Sequence, residues 1–214
     1  MASTRPKKNK FVRAWIAEHV NDPWVKEANR QGYRSRAAFK LFELAEKDRL
    51  FRPGMRVADL GAAPGSWSQV LRERLGPTAS IVAIDLLPIA PIDRVTVVQA
   101  DFRQSEGLAA LENALGGAKL DLVVSDLSPN LSGVEAADQA RSVHLGELAL
   151  EFASVWLQPG GDLVVKAFQG AGFVGLRRDI EARFAKVYIR KPKASRDRSR
   201  EVYIVAKGFK SPVS

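Results

Sequence analysis

The chain has no cysteine and only two histidines, His19 and His144, among its 214 residues. The absence of cysteine excludes disulfides, cysteine-ligated zinc, iron–sulfur clusters and a thiol nucleophile. The two histidines lie far from the motifs described below, so we expect no metal site.

Long apolar runs are also absent, and none approaches the roughly 20 residues that a helix needs to span a bilayer. The start of the chain, MASTRPKKNKFVRAW, is basic but lacks the apolar segment of a secretory signal. We therefore expect a cytoplasmic protein with no membrane partner. A mitochondrial presequence is the alternative that stays open, because residues 1–17 contain no acid.

The charge of the chain is unevenly distributed. A hydrophobic content of 46% suits one globular domain with a sizeable core, and 33 basic against 24 acidic residues give a net charge of +9. Residues 1–40 carry +7 and residues 177–214 carry +8, whereas the segment between them carries −6. Two basic ends predict cationic segments that meet on one face and bind a polyanion. Basic tails that only improve solubility are the alternative.

Short β-branched runs alternate with stretches of helical period, which predicts a doubly wound α/β fold with a mostly parallel sheet. The predicted helices are 35–50, 66–75, about 140–157 and 173–184. The predicted strands are 57–60, 81–84, 95–98, 122–124, 163–165, 186–189 and 202–206. The loop KPKASRDRSR before the final strand is too short for a parallel crossover and predicts an antiparallel last strand. We expect a basic N-terminal arm at 1–30, one domain at 31–210 and a tail at 211–214.

A glycine-containing turn, VADLGAAPGSW, follows the first predicted strand and opens a helix. Gly61 and Gly65 allow the backbone to approach a ligand closely, but neither G-x-G-x-x-G nor G-K-[ST] is present. Acids stand at or near the ends of three successive strands, where a nucleoside can bind: Asp59, Asp85 and Asp101, the last followed by the aromatic Phe102. Each of them could instead be a helix cap. A nucleoside without a polyphosphate is favoured, and S-adenosylmethionine fits.

Five segments together resemble the FtsJ/RrmJ family of S-adenosylmethionine-dependent ribose 2′-O-methyltransferases. They are WIAEHVNDPWVKEANRQGYRSRAAFKL, MRVADLGAAPGSWSQV, LVVSDLSPNLSG, GGDLVVKAFQG and RKPKASRDRSREVYIVAKG. The resemblance covers nearly the whole chain and implies a Rossmann-like methyltransferase fold. It implies a catalytic tetrad of Lys40, Asp126, Lys166 and Glu201. It also implies a cofactor site at Gly65, Trp67, Asp85, Asp101 and Asp126, with Ser66 standing where the family often has a second glycine.

The implied tetrad suits an in-line methyl transfer to a ribose oxygen, in which positioning contributes most of the catalysis. Lys166 would take the hydroxyl proton or stabilise the forming alkoxide, with its pKa lowered by burial or by a second cation. Lys40 would orient the hydroxyl or shift the pKa of Lys166. Asp126 would anchor the pair, and Glu201 would accept a hydrogen bond from a lysine or the ribose. Spacing alone favours solvated ammonium groups at both lysines.

The arm and the segments RSRAAFKL and SRDRSREVY resemble the bacterial and organellar branch of the family, which acts on large-subunit ribosomal RNA. That branch implies a uridine in the A-loop of 23S-type rRNA, on an assembled or nearly assembled large subunit. A tRNA ribose methyltransferase and a non-catalytic RNA-binding assembly factor are the alternatives. We expect the protein to be a monomer.

Basic residues that neighbour Lys40 and Glu201 in sequence are the candidate phosphate contacts. They are Arg34, Arg36, Arg190, Lys191, Lys193, Arg196, Arg198 and Arg200. Tyr33 and Trp24 are candidates for stacking against unpaired bases. For Trp24, packing of the arm onto the domain is the favoured role.

Overall fold

The computed structural model of the chain describes residues 20–129, 132–196 and 198–210, which form six helices and seven strands. The helices are α1 (Pro23–Gln31), α2 (Ala37–Asp48), α3 (Ser66–Leu75), α4 (Ser105–Leu115), α5 (Glu135–Trp156) and α6 (Phe173–Arg183). The strands are β1 (Arg56–Leu60), β2 (Ser80–Asp85), β3 (Val95–Gln99), β4 (Leu120–Ser125), β5 (Leu157–Phe168), β6 (Phe184–Arg190) and β7 (Glu201–Phe209).

The seven strands form one sheet in the order β3-β2-β1-β4-β5-β7-β6. Strands β1 to β5 run parallel to one another, whereas β7 runs antiparallel to both β5 and β6. The predicted α/β fold, with a mostly parallel sheet and an antiparallel last strand, is therefore confirmed. The order reverses between β1 and β4, which creates a crevice at the carboxyl ends of the strands.

The helices cover both faces of the sheet, and the side chains of each strand alternate between the two layers. In β1, Val57 belongs to the apolar cluster under α2 and α3, while Ala58 belongs to the cluster under α4, α5 and α6. Helix α1 lies outside these layers and contacts α2 through Trp24, whose ring centroid is 5.3 Å from that of Phe39. The favoured packing role of Trp24 agrees with this contact.

The antiparallel direction of β7 determines which of its residues lie at the edge of the sheet next to the crevice. In the β5–β7 ladder, Glu201 pairs with Phe168 and Tyr203 pairs with Lys166. The first residues of β7 thus lie beside the last residues of β5. If β7 were parallel to β5, its final residues would lie there instead.

Most predicted elements lie within a few residues of the observed ones, and the differences have local causes. Helix α4 is missing from the prediction, because only a short apolar pattern marks its buried side. The predicted break at Pro159-Gly160-Gly161 lies inside β5, since Leu157 already pairs with Leu120 and a register shift accommodates the turn residues. The basic N-terminal arm expected at 1–30 lies outside the described residues as far as residue 19. No helix within the described ranges is long and apolar enough to cross a membrane.

We predict that Gly107→Ala destabilises the fold, whereas Gly175→Ala does not. Each glycine is the third residue of its helix, Gly107 in α4 and Gly175 in α6. A Cβ on Gly107 would lie 2.1 Å from the carbonyl oxygen of Asp101, whereas a Cβ on Gly175 would have nothing within 4 Å. The clash should reduce the free energy of unfolding by about 1–3 kcal/mol. Alanine at 175 should raise it by up to about 1 kcal/mol through helix propensity. Urea unfolding measures both, and equal effects of the two substitutions would contradict the close approach.

Candidate active site

A cavity of about 700 Å³ opens at the carboxyl ends of β1 to β4. Five residues of the predicted cofactor site line it, namely Gly61, Asp85, Asp101, Phe102 and Asp126. His144 lines it as well, from α5. Its position corrects the expectation that His144 lies far from the motifs. Within the described part of the chain, no group of three or more acids or histidines is arranged to hold a metal ion. His19 lies outside the described residues.

The carboxylate of Asp85 joins the two backbone segments that form one wall of this cavity. Its Oδ2 accepts a hydrogen bond of 2.9 Å from the backbone N–H of Ala63, and its Oδ1 accepts one of 2.8 Å from that of Leu87. An ionised carboxylate offers about four lone-pair sites, so each oxygen keeps acceptor capacity for a ligand hydroxyl.

Asp101 and Phe102 form the next part of the wall. The Asp101 carboxylate accepts hydrogen bonds from Arg103 Nε at 2.9 Å and Nη2 at 2.7 Å, and these bonds lower the pKa of Asp101. The ring of Phe102 is 8% exposed and meets Phe152 edge-on, with centroids 5.7 Å apart. The wall therefore combines a permanently ionised acid with a fixed apolar surface.

Asp59 lies beneath the glycine turn rather than in the cavity wall, which corrects the predicted cofactor contact. Its side chain is fully buried, and Ser68 Oγ donates a hydrogen bond of 2.6 Å to Oδ2. No described residue hydrogen-bonds to Oδ1. Burial, helped by the nearby carboxylates of Asp126 and Asp85, raises the pKa of Asp59 to about 7. Asp59 therefore keeps its proton more readily than an exposed aspartate does, beneath a cavity that Asp85 and Asp126 line.

The backbone of the glycine turn packs closely against neighbouring residues. Gly61 has φ +75°, and a Cβ there would come within 2.8 Å of Leu127. Gly65 is buried and does not line the cavity, and neither does Trp67. The Trp67 indole is 2% exposed and donates a hydrogen bond of 2.8 Å to the carbonyl of Ala37, because α3 packs its first turn against α2. The Trp67 side chain therefore packs against α2, and its place in the cofactor site stays a prediction.

The four residues of the implied tetrad lie together in the structure, and a fifth residue, Tyr203, contacts two of them. Lys166 Nζ lies 3.2 Å from Asp126 Oδ1 and 3.3 Å from Glu201 Oε2. Tyr203 donates a hydrogen bond of 2.7 Å to Asp126 Oδ1 and lies 3.3 Å from Lys40 Nζ. Lys40 Nζ donates a hydrogen bond of 2.6 Å to Glu201 Oε1, so the contacts form a closed set. We call this closed set of Lys40, Asp126, Lys166, Glu201 and Tyr203 the charged ring.

Local structure explains why these side chains meet. Glu201 and Tyr203 are two residues apart on β7 and so face the same side of the sheet, where Lys166 is the cross-strand partner of Tyr203. Lys40 lies on the buried face of α2 next to Leu41 and is itself only 7% exposed. Its burial corrects the solvated position that spacing alone favours. Asp126 follows β4 and also lines the cavity, so it belongs to both structures.

The charges of the ring balance, and their proximity sets the protonation states. Burial would lower the pKa of Lys166, but the carboxylates of Asp126 and Glu201 outweigh it and raise that pKa. Burial alone would raise the pKa of Glu201, yet Lys166 and Lys40 lower it to about 2. Burial raises the pKa of Tyr203 well above its ordinary value, so the phenol stays neutral. The expectation of a lowered lysine pKa at Lys166 is wrong for this arrangement.

Sequence reasoning missed two members of the site, Tyr203 and Ser195. Ser195 Oγ donates a hydrogen bond of 2.8 Å to Glu201 Oε1. For Tyr203 a signal was available, because the two-residue period of a strand places it on the same face as Glu201. No comparable signal marks Ser195, which lies in the loop before β7.

The candidate phosphate contacts divide into two groups. Four of them bind other parts of the chain: Arg34 to backbone carbonyls, Arg190 to Asp48, Lys191 to the carbonyls of Ser199 and Glu201, and Arg200 to Glu135. Arg36 forms an ion pair with Asp22, but it also lines a second cavity of about 350 Å³ together with Arg196, Arg198, Ser199 and Glu201. Lys193 is exposed. A basic surface therefore lies beside the charged ring, and the role of these residues as phosphate contacts stays a prediction.

The stacking candidates at the arm are engaged within the chain. Trp24 packs on Phe39, and Tyr33 packs edge-on against Phe39 and Phe42. The Tyr33 hydroxyl donates a hydrogen bond to Glu73. These contacts attach the arm to α2 and α3.

We predict that Asp59→Asn removes a penalty on folding that grows with pH. In wild type, the unfolded carboxyl ionises near its ordinary value of 3.8, whereas the folded one keeps its proton up to about 7. Folding is therefore disfavoured progressively as the pH rises between these values, and by a constant amount above them. Asparagine cannot ionise and can still accept the hydrogen bond of Ser68.

The stability of Asp59→Asn relative to wild type should therefore rise by at most about 1.4 kcal/mol per pH unit between about pH 4 and pH 7, and then level off. Urea unfolding over that range measures it, with Asp93→Asn as a control for removing an exposed charge. A difference that does not change with pH would contradict the raised pKa.

Comparisons with known proteins agree with this geometry. The family model for FtsJ-like methyltransferase matches residues 33–209. "Ribosomal RNA large subunit methyltransferase E" of Azoarcus sp. (strain BH72) is 55% identical over 199 residues, covering 93% of this chain and 97% of that protein. The protein of the same name from Nitrosomonas europaea is 55% identical over 193 residues, covering 90% and 94%. A solved structure from Plasmodium falciparum, described as a ribosomal RNA methyltransferase, has a TM-score of 0.72 at 29% identity and covers 83% of this chain and 98% of its own. The chain thus belongs to the FtsJ-like methyltransferase family.

Proposed function

We propose that this protein transfers a methyl group from S-adenosylmethionine to the 2′-hydroxyl of a uridine ribose in large-subunit ribosomal RNA. The observation that carries the proposal is Asp126, which lines the cavity at the carboxyl ends of the strands and is also a member of the charged ring. A bound methyl donor and a ribose held at the ring would therefore meet at one carboxylate. The curated relatives named as large-subunit methyltransferases support the choice of RNA.

The proposed target is the A-loop of 23S-type rRNA on an assembled large subunit, and the proposed location is the cytoplasm. We propose a monomer, because every member of the charged ring comes from the same chain. The second cavity, lined by Arg36, Arg196 and Arg198 next to Glu201, supports an RNA that approaches the ring from that side.

The described residues fit S-adenosylmethionine, which combines an adenosine with a cationic amino acid. Asp85 would accept hydrogen bonds from the ribose hydroxyls, and the adenine would lie against Phe102 beside Asp101. Three carboxylates line the cavity, on Asp85, Asp101 and Asp126, and they favour a ligand that carries a positive charge. When bound, the cofactor supplies an electrophilic methyl group on a sulfonium.

The charged ring would position the ribose and stabilise its oxygen. Lys166 is held as an ammonium by Asp126 and Glu201, so its Nζ can donate a hydrogen bond to the 2′-oxygen without a change in its own protonation. Lys40 holds Glu201 from the other side and thereby fixes the carboxylate that faces Lys166. Tyr203 holds Asp126 in the same way. Fixed orientation of this kind is the main contribution to an in-line displacement.

The hydroxyl proton needs an acceptor, and Lys166 already carries three protons. As the new bond between the ribose oxygen and the methyl carbon forms, the bond from that carbon to sulfur breaks and leaves a neutral thioether. The ribose oxygen gains positive charge, so its proton becomes strongly acidic. One of the two carboxylates next to Lys166, on Asp126 or Glu201, can then accept it. We therefore propose that Lys166 holds the ribose oxygen in line through a hydrogen bond and that a carboxylate takes the proton.

Lys166→Ala should abolish methyl transfer and leave the affinity for S-adenosylmethionine near that of wild type. Lys166→Arg should keep measurable transfer, because arginine retains the cation but cannot act as a base. The wild-type rate should be flat between about pH 7 and pH 9, since the pKa of Lys166 is raised above this range. Radiolabelled methyl transfer and calorimetric binding measure these outcomes. A rate that climbs about tenfold per pH unit over that range would show instead that Lys166 acts as a base.

Lys207→Ala is the matched control for this series. Lys207 lies on β7 and, like Lys166, is next to a buried carboxylate, 3.5 Å from Asp162, but it belongs neither to the charged ring nor to the cavity wall. Its variant should retain methyl transfer. Loss of activity in Lys207→Ala equal to that in Lys166→Ala would show that both act only through stability.

The substrate can be identified by offering radiolabelled S-adenosylmethionine with isolated large subunits, free ribosomal RNA or tRNA. We expect label in the large subunits, at a uridine of the A-loop, in a linkage that resists alkali because the 2′-oxygen is blocked. Preferential labelling of tRNA would support the rival tRNA methyltransferase. Cofactor binding without label in any of the three RNAs would support a non-catalytic assembly factor.

A further inference from the structure

Arg34, a predicted phosphate contact, binds three backbone carbonyls of this chain. Its Nη1 donates hydrogen bonds of 2.9 Å to the carbonyl of Pro64 and 2.8 Å to that of Ala90, and its Nη2 donates one of 2.9 Å to that of Pro91. Pro64 belongs to the glycine turn after β1. Ala90 and Pro91 belong to the loop after β2, residues 86–94. One guanidinium therefore joins two segments that follow different strands.

The two segments form the wall of the cofactor cavity on which Asp85 lies. Ala63 from the turn and Leu86 and Leu87 from the loop line the cavity. Asp85 joins the same segments from the cavity side, through the N–H groups of Ala63 and Leu87. Arg34 does not line the cavity and joins them from outside it. The separation of turn and loop is thus held by two polar groups, an acid inside and an arginine outside.

Apolar packing beneath the guanidinium leaves little freedom for this arrangement. Ile89 of the loop is buried in a small cluster with Ala62 of the turn. Gly65 lies directly below: a Cβ there would lie 2.5 Å from Arg34 Nη1 and 3.0 Å from Ile89. The turn can approach the arginine this closely only because residue 65 has no side chain.

The backbone that carries Arg34 is itself attached to the start of α3. Arg34 N donates a hydrogen bond of 2.9 Å to the side-chain oxygen of Gln69, whose amide donates one of 3.2 Å to the carbonyl of Gly32. The hydroxyls of Ser35 and Ser66 lie 2.8 Å apart. The departure at Ser66 from the family pattern thus gives the neighbouring segment a hydrogen-bond partner. The backbone at Arg34 is therefore held in place by α3, and the side chain extends from it to the turn and the loop.

We propose that Arg34 is a positioning residue of the cofactor site, which holds the glycine turn and the loop after β2 at the separation that Asp85 needs to bind the nucleoside. The inference rests on the proposed S-adenosylmethionine-dependent function. It replaces the prediction that Arg34 binds an RNA phosphate. The planar fork of arginine serves three carbonyls at once, which the single ammonium of lysine cannot reproduce.

The test compares Arg34→Ala and Arg34→Lys with Arg72→Ala in the full-length protein. Arg72 is a matched control, because its Nη1 also donates to two backbone carbonyls, of Ala79 at 3.0 Å and of Arg94 at 3.2 Å. Those carbonyls precede β2 and β3, at the opposite edge of the sheet from the cavity. Arg94 is the last residue of the loop after β2, so Arg72→Ala removes comparable hydrogen bonds at the end of that loop away from Leu86 and Leu87, which line the cavity.

Calorimetric titration with S-adenosylmethionine, ribosomal RNA affinity at several salt concentrations and steady-state methyl transfer are the readouts. Both Arg34 variants should bind the cofactor about tenfold more weakly, as expected for lost hydrogen bonds from a charged donor. Saturating cofactor should restore most of the turnover, and the salt dependence of RNA affinity should equal that of wild type. Arg72→Ala should bind the cofactor as wild type does.

If wild type binds the cofactor and either Arg34 variant binds it equally well, the inference is overturned and the proposed function still stands. Full recovery in Arg34→Lys would show that charge suffices, and a salt slope reduced by about one unit would show a phosphate contact. Either result overturns the positioning role. Absence of cofactor binding by wild type overturns the proposed function as well. If Arg34→Ala does not fold, Arg34→Lys carries the comparison.

Discussion

The buried pairing of Lys166 with Asp126 and Glu201 is the constraint on which the arrangement of the site depends. Removing ions from water costs several kcal/mol each unless partners and hydrogen bonds are already in place. The members of the charged ring come from α2, the end of β4, β5 and β7, so these elements must meet within hydrogen-bonding distance. The β5–β7 register and the packing of α2 onto α3 meet that requirement. If one ring member were lost, an uncompensated charge would stay behind in a largely apolar layer.

Local patterns predicted the parts of the fold that depend on local physics. Gly65 and Gly76 flank α3, whose predicted and observed bounds coincide at Ser66–Leu75. The β-branched runs marked every strand of the parallel sheet, and the short basic loop correctly indicated an antiparallel final strand. The acids at strand ends were found for the same reason, because Asp85 ends β2, Asp101 comes two residues after β3, and the carboxyl ends of these parallel strands meet at one edge.

Predictions that depended on distances across the chain succeeded less often. The direction of the pKa change at Lys166 follows from carboxylates that are 40 and 35 residues away in sequence, and neither proximity can be read from a local window. Arg190 illustrates the same limit, since its partner Asp48 lies on α2 and turns an apparent phosphate contact into an internal ion pair. Family resemblance identified the tetrad because it carries spatial information that spacing lacks. It gave no indication that the Trp67 side chain packs away from the cavity.

The reversed course of β7 makes the site intolerant of a change in the length of that strand. Glu201 and Tyr203 face the charged ring, while Val202 between them belongs to the apolar cluster on the other face. One residue inserted between them would turn Glu201 toward that cluster, where a carboxylate has no partner. Lys40 would then lose its carboxylate, and Lys166 would keep only Asp126. Insertions in the loop before β7 add only slowly growing closure entropy. Length variation among such chains should therefore accumulate in the loop, while the count from Glu201 to Tyr203 stays constant.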